Sequence, residues 1–333
     1  MASVTTHSSS STGTTAPWKP LFLNHISKMP SPEFVVTTLH PSSWSGGSSG
    51  SSSSAGAAQA PAPAAPPGVP YVPRARYCIY RGMWAELPEN KHNTAPRNER
   101  VFESELPTFT SDVRMEKVPE VFASSAGHGK PAQSRGSGGG GPVEAVWWVK
   151  EVMTQWRVRG EAFIVGQDIE GGGSGGGHGH GGGAAGDDTS SGSSSGVRTV
   201  KSEVGKRMRV IREGGEKEWS WETEVTAHFG NLSPGMRGSF KNPPPGTPVS
   251  EPLSSSDLSL GQKITDLHDT LARENFRVVI IRPQVVEQLD LSDPATARRW
   301  RFTFVGEESN QTAAAGGVGG LTLGEWKKEE LWP

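Results

Sequence analysis

The chain has one cysteine, Cys78, in 333 residues. That excludes an intrachain disulfide framework and any metal site built from several thiolates, and it points to a reducing compartment. No stretch approaches the roughly 20 apolar residues that a membrane-crossing helix requires. The first residues, "MASVTTHSSSSTGTTAPW", lack the basic and apolar segments of a secretory signal and the arginines of an import peptide. They are expected to form a disordered tail of a cytoplasmic or nucleocytoplasmic protein, and no membrane partner is expected. Neither sign of charge is in excess: 33 basic residues face 35 acidic ones, for a net charge of −2. Bulk attraction to nucleic acid is therefore not expected, and any anion binding has to be local.

Glycine is abundant, with 43 residues. Much of it falls, with serine, in tracts at 42–68, 124–141, 170–196 and 310–320, whose composition reads as flexible and surface-exposed. Setting these tracts and a 1–15 tail aside leaves roughly 230 residues, the size of one domain spanning 16–333 with insertions. The "HGHGGG" run at 178–183 alternates histidine with glycine. It offers no fixed geometry for a metal and reads as linker, so no metal site is expected.

Between the tracts the pattern is mostly that of strands. "EFVVTTLHP", "ARYCIYRGMW", "LPTFTSD", "FRVVIIRPQVVEQLDL", "RWRFTF" and "GEWKKEELWP" each read as one. "EAVWWVKEVMTQWRVRGEAFIVG" reads as two, joined at a charged corner. Helices are expected in "PWKPLFLNHISKM", in "SDVRMEKVPEVFA" with Ser111 or Asp112 as cap, and in "EKEWSWETEVTAHFG". Many strands with few helices predict a β-barrel carrying peripheral helices.

Three stretches carry local chemistry. "PRARYCIYRG" sets Arg74, Arg76 and Arg81 around one strand, and "TSDVRMEK" sets Thr110, Ser111, Arg114 and Lys117 at a strand-to-helix junction. Hydroxyls and cations so placed suit a phosphate monoester. On residue types alone, ordinary surface cations beside a helix cap remain the preferred reading. In "MTQWRVRGEAF", strand alternation puts Gln155, Arg157, Arg159 and Glu161 on one face and Trp156, Val158 and Ala162 on the other.

"PRARYCIYRG", "FTSDVRMEKV", "QWRVRG" and a terminal W-x4-L-x-P, met by Trp326, Leu331 and Pro333, occur in the order found in the pyridoxamine 5'-phosphate oxidase-related FMN-binding split barrels. The chain resembles that family, in particular its oxidase-like subgroup. The resemblance implies a mainly β FMN-binding split barrel with a few peripheral helices, FMN as cofactor, and a homodimer with FMN at its interface. It implies that Arg76 and Arg81 contact the flavin mononucleotide. Thr110 and Ser111 would lie beside the ribityl phosphate and Lys117 would hold it, while Gln155 would hydrogen-bond the flavin. Arg301 would reach the isoalloxazine from the partner subunit. Hydride transfer from a small-molecule substrate to FMN, with reoxidation by dioxygen, is the implied reaction. An FMN-dependent reductase using NAD(P)H and a non-catalytic flavin-binding or interaction protein are the alternatives.

Some positions depart from the family pattern. Met115 and Glu116 replace a serine and an arginine, with Arg114 expected to compensate for the acid. Leu291 stands for a tryptophan that packs on the flavin. Ala297 and Arg299 stand for the arginine and histidine that hold pyridoxal phosphate. No catalytic side chain is singled out. Arg76 and Arg81 are an odd number apart, so one flavin meets both only if the strand bulges or ends between them, or if the two serve different sites of a dimer.

Overall fold

The computed structural model describes residues 15–44, 69–126, 134–170, 195–252, 255–306, 321–323 and 325–333. The tail at 1–14, the "HGHGGG" run and most of each Gly/Ser tract lie outside the described residues. The strands are β1 (Glu33–Pro41), β2 (Tyr71–Met83), β3 (Phe102–Ser104), β4 (Pro107–Asp112), β5 (Gly138–Val149), β6 (Thr154–Val165), β7 (Met208–Val210), β8 (Phe276–Asp290), β9 (Arg298–Phe304), β10 (Leu321–Leu323) and β11 (Trp326–Leu331). The helices are α1 (Lys19–Ile26), α2 (Lys117–Ala123), α3 (Ser195–Gly205), α4 (Trp221–Gly230), α5 (Pro234–Gly238) and α6 (Thr270–Asn275).

β8 organises the sheet. Its first residues pair with β4, its last with β9, and β6 runs along nearly its whole length. The order β8-β4-β2-β1-β5-β6 therefore closes on itself through the β6–β8 pairing, while β9, β11 and β10 branch away. This is a split barrel, mainly β with peripheral helices, as expected. Strand alternation divides the apolar residues of β8 between two cores. Val279 and Ile281 join one with Phe34, Phe109, Trp147 and Trp156, and α1 sends Phe22 among Tyr80, Trp147 and Trp156 in edge-on ring contacts. Val278 and Ile280 join the other, beneath Val200 of α3 and Val225 and Phe229 of α4. Gly160 of β6 lies where the β6–β8 register shifts, and a Cβ there would sit 2.0 Å from the Arg282 carbonyl oxygen.

The short elements β3, β7, β10, α5 and α6 carry too few residues to show a period, and α3 begins inside a Gly/Ser tract. Two other expectations change. The helix after β4 starts at Lys117, not beside Ser111 or Asp112, because those residues complete β4. Asp112 instead accepts from the Arg114 backbone N–H at 2.8 Å, making the turn between strand and helix. Gly138–Gly141, counted with the 124–141 tract, are buried residues of β5.

Candidate functional site

Around the start of α2 the structure gathers Arg76, Ser111 and Lys117. Arg76 shares its face of β2 with Cys78 and Tyr80, both in the core with Phe109. Ser111, two residues after Phe109, faces the same way. Lys117, only 8 % exposed, donates Nζ to Ser111 Oγ at 3.2 Å and lies 2.8 Å from Met115 Sδ. It makes no ion pair with any described residue. Burial holds its ammonium below the usual lysine range, the nearby Arg76 acting the same way and Cys78, Asp112 and Glu120 opposing. Burial likewise raises the Cys78 thiol, with Lys117 and Arg76 opposing.

Arg76 is compensated from within the chain. Its Nη2 lies 2.9 Å from Glu120 Oε2, and Nη1 donates to Thr38 Oγ1. Glu120 is fully buried and is also bonded to Thr38 and, at 2.9 Å, to His40 Nδ1. These three residues were not singled out from the sequence. Thr38 and His40 lie 82 and 80 positions from Glu120, so no local pattern marks them. The contrast with Lys117 is chemical: Arg76 is ion-paired to a carboxylate, while the contacts of the Lys117 ammonium among the described residues are a hydroxyl and a thioether.

The other expected residues fall elsewhere. Thr110 faces opposite Ser111 on β4, toward Val278, so the two hydroxyls do not form one pair. β2 does bulge at Arg81, where the register with β4 shifts between Tyr80 and Gly82. Even so, the two arginines meet different partners, Arg81 reaching Met236 Sδ of α5 at 3.9 Å. Its buried Nε has no partner among the described residues. Arg114 is taken up by Asp112 in a two-point ion pair and by the Phe240 and Asn242 carbonyls.

Gln155 and Arg301 share the outer face of β6, β8 and β9. Arg157, Glu287 and Arg301 stand in register across these strands. Glu287, 5 % exposed, lies 2.9 Å from Arg301, 3.5 Å from Arg159 and 3.8 Å from Arg157. Arg157 is also held by Glu144 at 2.5 Å. Gln155 sits between Trp148 and Leu289 in the next row and makes no side-chain hydrogen bond among the described residues. One chain thus presents the candidate residues on separate surfaces.

A flavin mononucleotide presents an anionic phosphate and a planar ring edged with hydrogen-bonding groups. Lys117 fits the phosphate: its ammonium is largely buried and makes no ion pair among the described residues. Gln155, whose side chain makes no hydrogen bond among the described residues, suits the ring edge.

Residues 58–166 match the family model for pyridoxamine 5'-phosphate oxidase, FMN-binding domain. The resemblance read from the motifs is shown in that segment, which contains Arg76, Arg81, Thr110, Ser111, Lys117 and Gln155 and supports a flavin as the cofactor class. Two solved structures are similar over nearly the full chain. One is a pyridoxamine 5'-phosphate oxidase-related, FMN-binding protein of Nostoc punctiforme, at 13% identity and a TM-score of 0.46, covering 96% of this chain and 100% of that one. The other is PhzG of Burkholderia lata in complex with tetrahydrophenazine-1-carboxylic acid, at 10% identity and a TM-score of 0.38, covering 95% and 94%. No curated protein matches. No helix among the described residues is long and apolar enough to cross a membrane.

Proposed function

We propose that the protein binds FMN and is a flavin-dependent oxidoreductase of the pyridoxamine 5'-phosphate oxidase-like type. The observation that carries this is the buried Lys117 ammonium. A buried cation with no ion-pair partner among the described residues is costly, and a phosphate beside Lys117 and Ser111 would offset that cost. Arg76 adds positive potential to the same corner, and Glu120 fixes its guanidinium.

Because Gln155 and Arg301 lie on a different surface from Lys117, one FMN meets all three only when a second copy contributes. A homodimer with FMN at its interface accounts for the division. The half-exposed Trp148 beside Gln155 gives that face an apolar contact. Bound FMN supplies two-electron redox chemistry. The chain's part is to hold the phosphate, to hydrogen-bond the ring and, in the assembled dimer, to keep water from its face.

Leu291, Ala297 and Arg299, which replace family residues for the flavin and pyridoxal phosphate, favour a substrate other than a vitamin B6 phosphate. They equally favour the readings as an NAD(P)H-dependent reductase or a flavin-binding protein without turnover. The visible spectrum of the purified protein tests the cofactor. A yellow protein whose melting temperature rises with FMN is expected, and a colourless protein indifferent to FMN refutes the proposal. Anaerobic mixing then separates the reactions: bleaching by pyridoxine phosphate marks an oxidase, bleaching by NADPH a reductase, and bleaching by neither a binding protein.

A further inference from the structure

Apart from the residues discussed so far, a cavity of about 360 Å3 opens between the segment that follows β6, helix α4 and helix α6. Its lining includes Gln167, Ile169, Glu222, Thr226, His268 and Arg273. It shares no lining residue with the Lys117 corner or the Gln155 face, and most of these residues lie beyond the segment matched by the family model.

The lining of this cavity includes a buried cation that makes no ion pair among the described residues. Arg273 is 5 % exposed, and its Nη2 donates to Thr226 Oγ1 at 3.0 Å. Among the described residues its Nη1 has no partner and the guanidinium makes no ion pair. The Phe229 ring lies 5.3 Å from its guanidinium carbon. Burial lowers the Arg273 pKa to about 10, with Glu222 opposing, so the group stays charged at neutral pH. A buried guanidinium with unused donors is complementary to a planar carboxylate.

The remaining lining narrows the ligand. Ile169 and Val225 are buried and give the inner wall an apolar surface. Asp168 also lines the cavity, but its carboxylate is occupied by the Ser137 N–H and hydroxyl, at 2.9 and 2.7 Å. Glu222 is exposed and brings a carboxylate to the lining. A second negative charge on the ligand would meet it, so a phosphate dianion is disfavoured. We propose that this cavity binds a small organic monocarboxylate, its carboxylate paired with Arg273 and its apolar body against Ile169 and Val225.

Calorimetric titration of the full chain with sodium benzoate, sodium hexanoate and inorganic phosphate, at matched ionic strength, tests this. At least one carboxylate should bind saturably and more tightly than phosphate. Arg273→Met should weaken it by about tenfold or more, the loss expected for a charged hydrogen-bonded pair. Removing an unpaired buried charge should leave the melting temperature unchanged or higher. Glu222→Gln should tighten phosphate. Should Arg273→Met not fold, Arg273→Lys keeps the charge without the fork and should still weaken the carboxylate severalfold. FMN should not displace the carboxylate. The proposal is overturned if neither carboxylate binds, if phosphate binds more tightly, if the Arg273 variants bind equally well, or if FMN competes.

Discussion

Lys117 Nζ lies 3.2 Å from Ser111 Oγ, joining a residue of α2 to the far end of β4 through a neutral contact. A neutral hydroxyl satisfies one N–H without forming an ion pair. Lys117→Met should therefore fold as well as the parent without cofactor and bind FMN about tenfold more weakly or worse. Lys117→Arg should retain part of the affinity. FMN fluorescence titration checks this, and equal affinity in all three proteins would remove Lys117 from the site.

Gln155 and Trp148 separate ring contact from assembly. Gln155→Ala should weaken FMN binding while leaving oligomeric state unchanged. Trp148→Asp places a charge on the proposed interface, and should yield a monomer by sedimentation that also loses FMN. A Trp148→Asp monomer with full FMN affinity would show that one chain suffices.

Glu287 is the acid shared by Arg157, Arg159 and Arg301. Glu287→Gln leaves Arg159 and Arg301 without an acid among the described residues, beside Arg157, which keeps Glu144. A loss of about 1–3 kcal/mol in urea unfolding is expected, partly recovered by added salt and by Arg301→Met in the same background. If Glu287→Gln is as stable as the parent at low salt, the acid does not organise that face.

His228 gives the fold a pH dependence. It stacks on Trp84, and burial, then Arg81 and Arg97, lower its pKa to about 3 from 6.5. Between these values the unfolded chain takes up a proton that the folded chain refuses. Its contribution is complete above pH 6.5 and is lost as pH falls toward 3, by about 1.4 kcal/mol per pH unit. Glu224, 3.8 Å from His228, has its carboxyl raised by burial and acts in the opposite sense. His228→Phe keeps Glu224 and the ring contact, so its stability should fall less between pH 7 and 5, by about 2 kcal/mol. Parallel pH profiles would count against the assignment.

The main strands were readable because alternation and β-branching are local. β1 matches "EFVVTTLHP" residue for residue, and the corner between β5 and β6 falls at the charged stretch expected. Spatial grouping was less readable. The motif residues lie close in sequence, yet β4 turns Thr110 and Ser111 to opposite faces, and the turn at Asp112 absorbs Arg114. The carboxylates that distinguish a compensated arginine from an available cation, Glu120 and Glu287, come from distant segments. No spacing rule reaches that far.

The glycines at 138–141 bear on how such sequences are compared. A Cβ on Gly138 would meet Phe122 at 2.6 Å, and one on Gly141 would meet the Val121 carbonyl oxygen at 2.4 Å. Helix α2, which carries Lys117, rests directly on bare backbone there. A filter that discards low-complexity sequence before alignment would therefore delete the seat of the proposed phosphate lysine. Trimming the tract to shorten the protein would do the same once the cut passed Ser137.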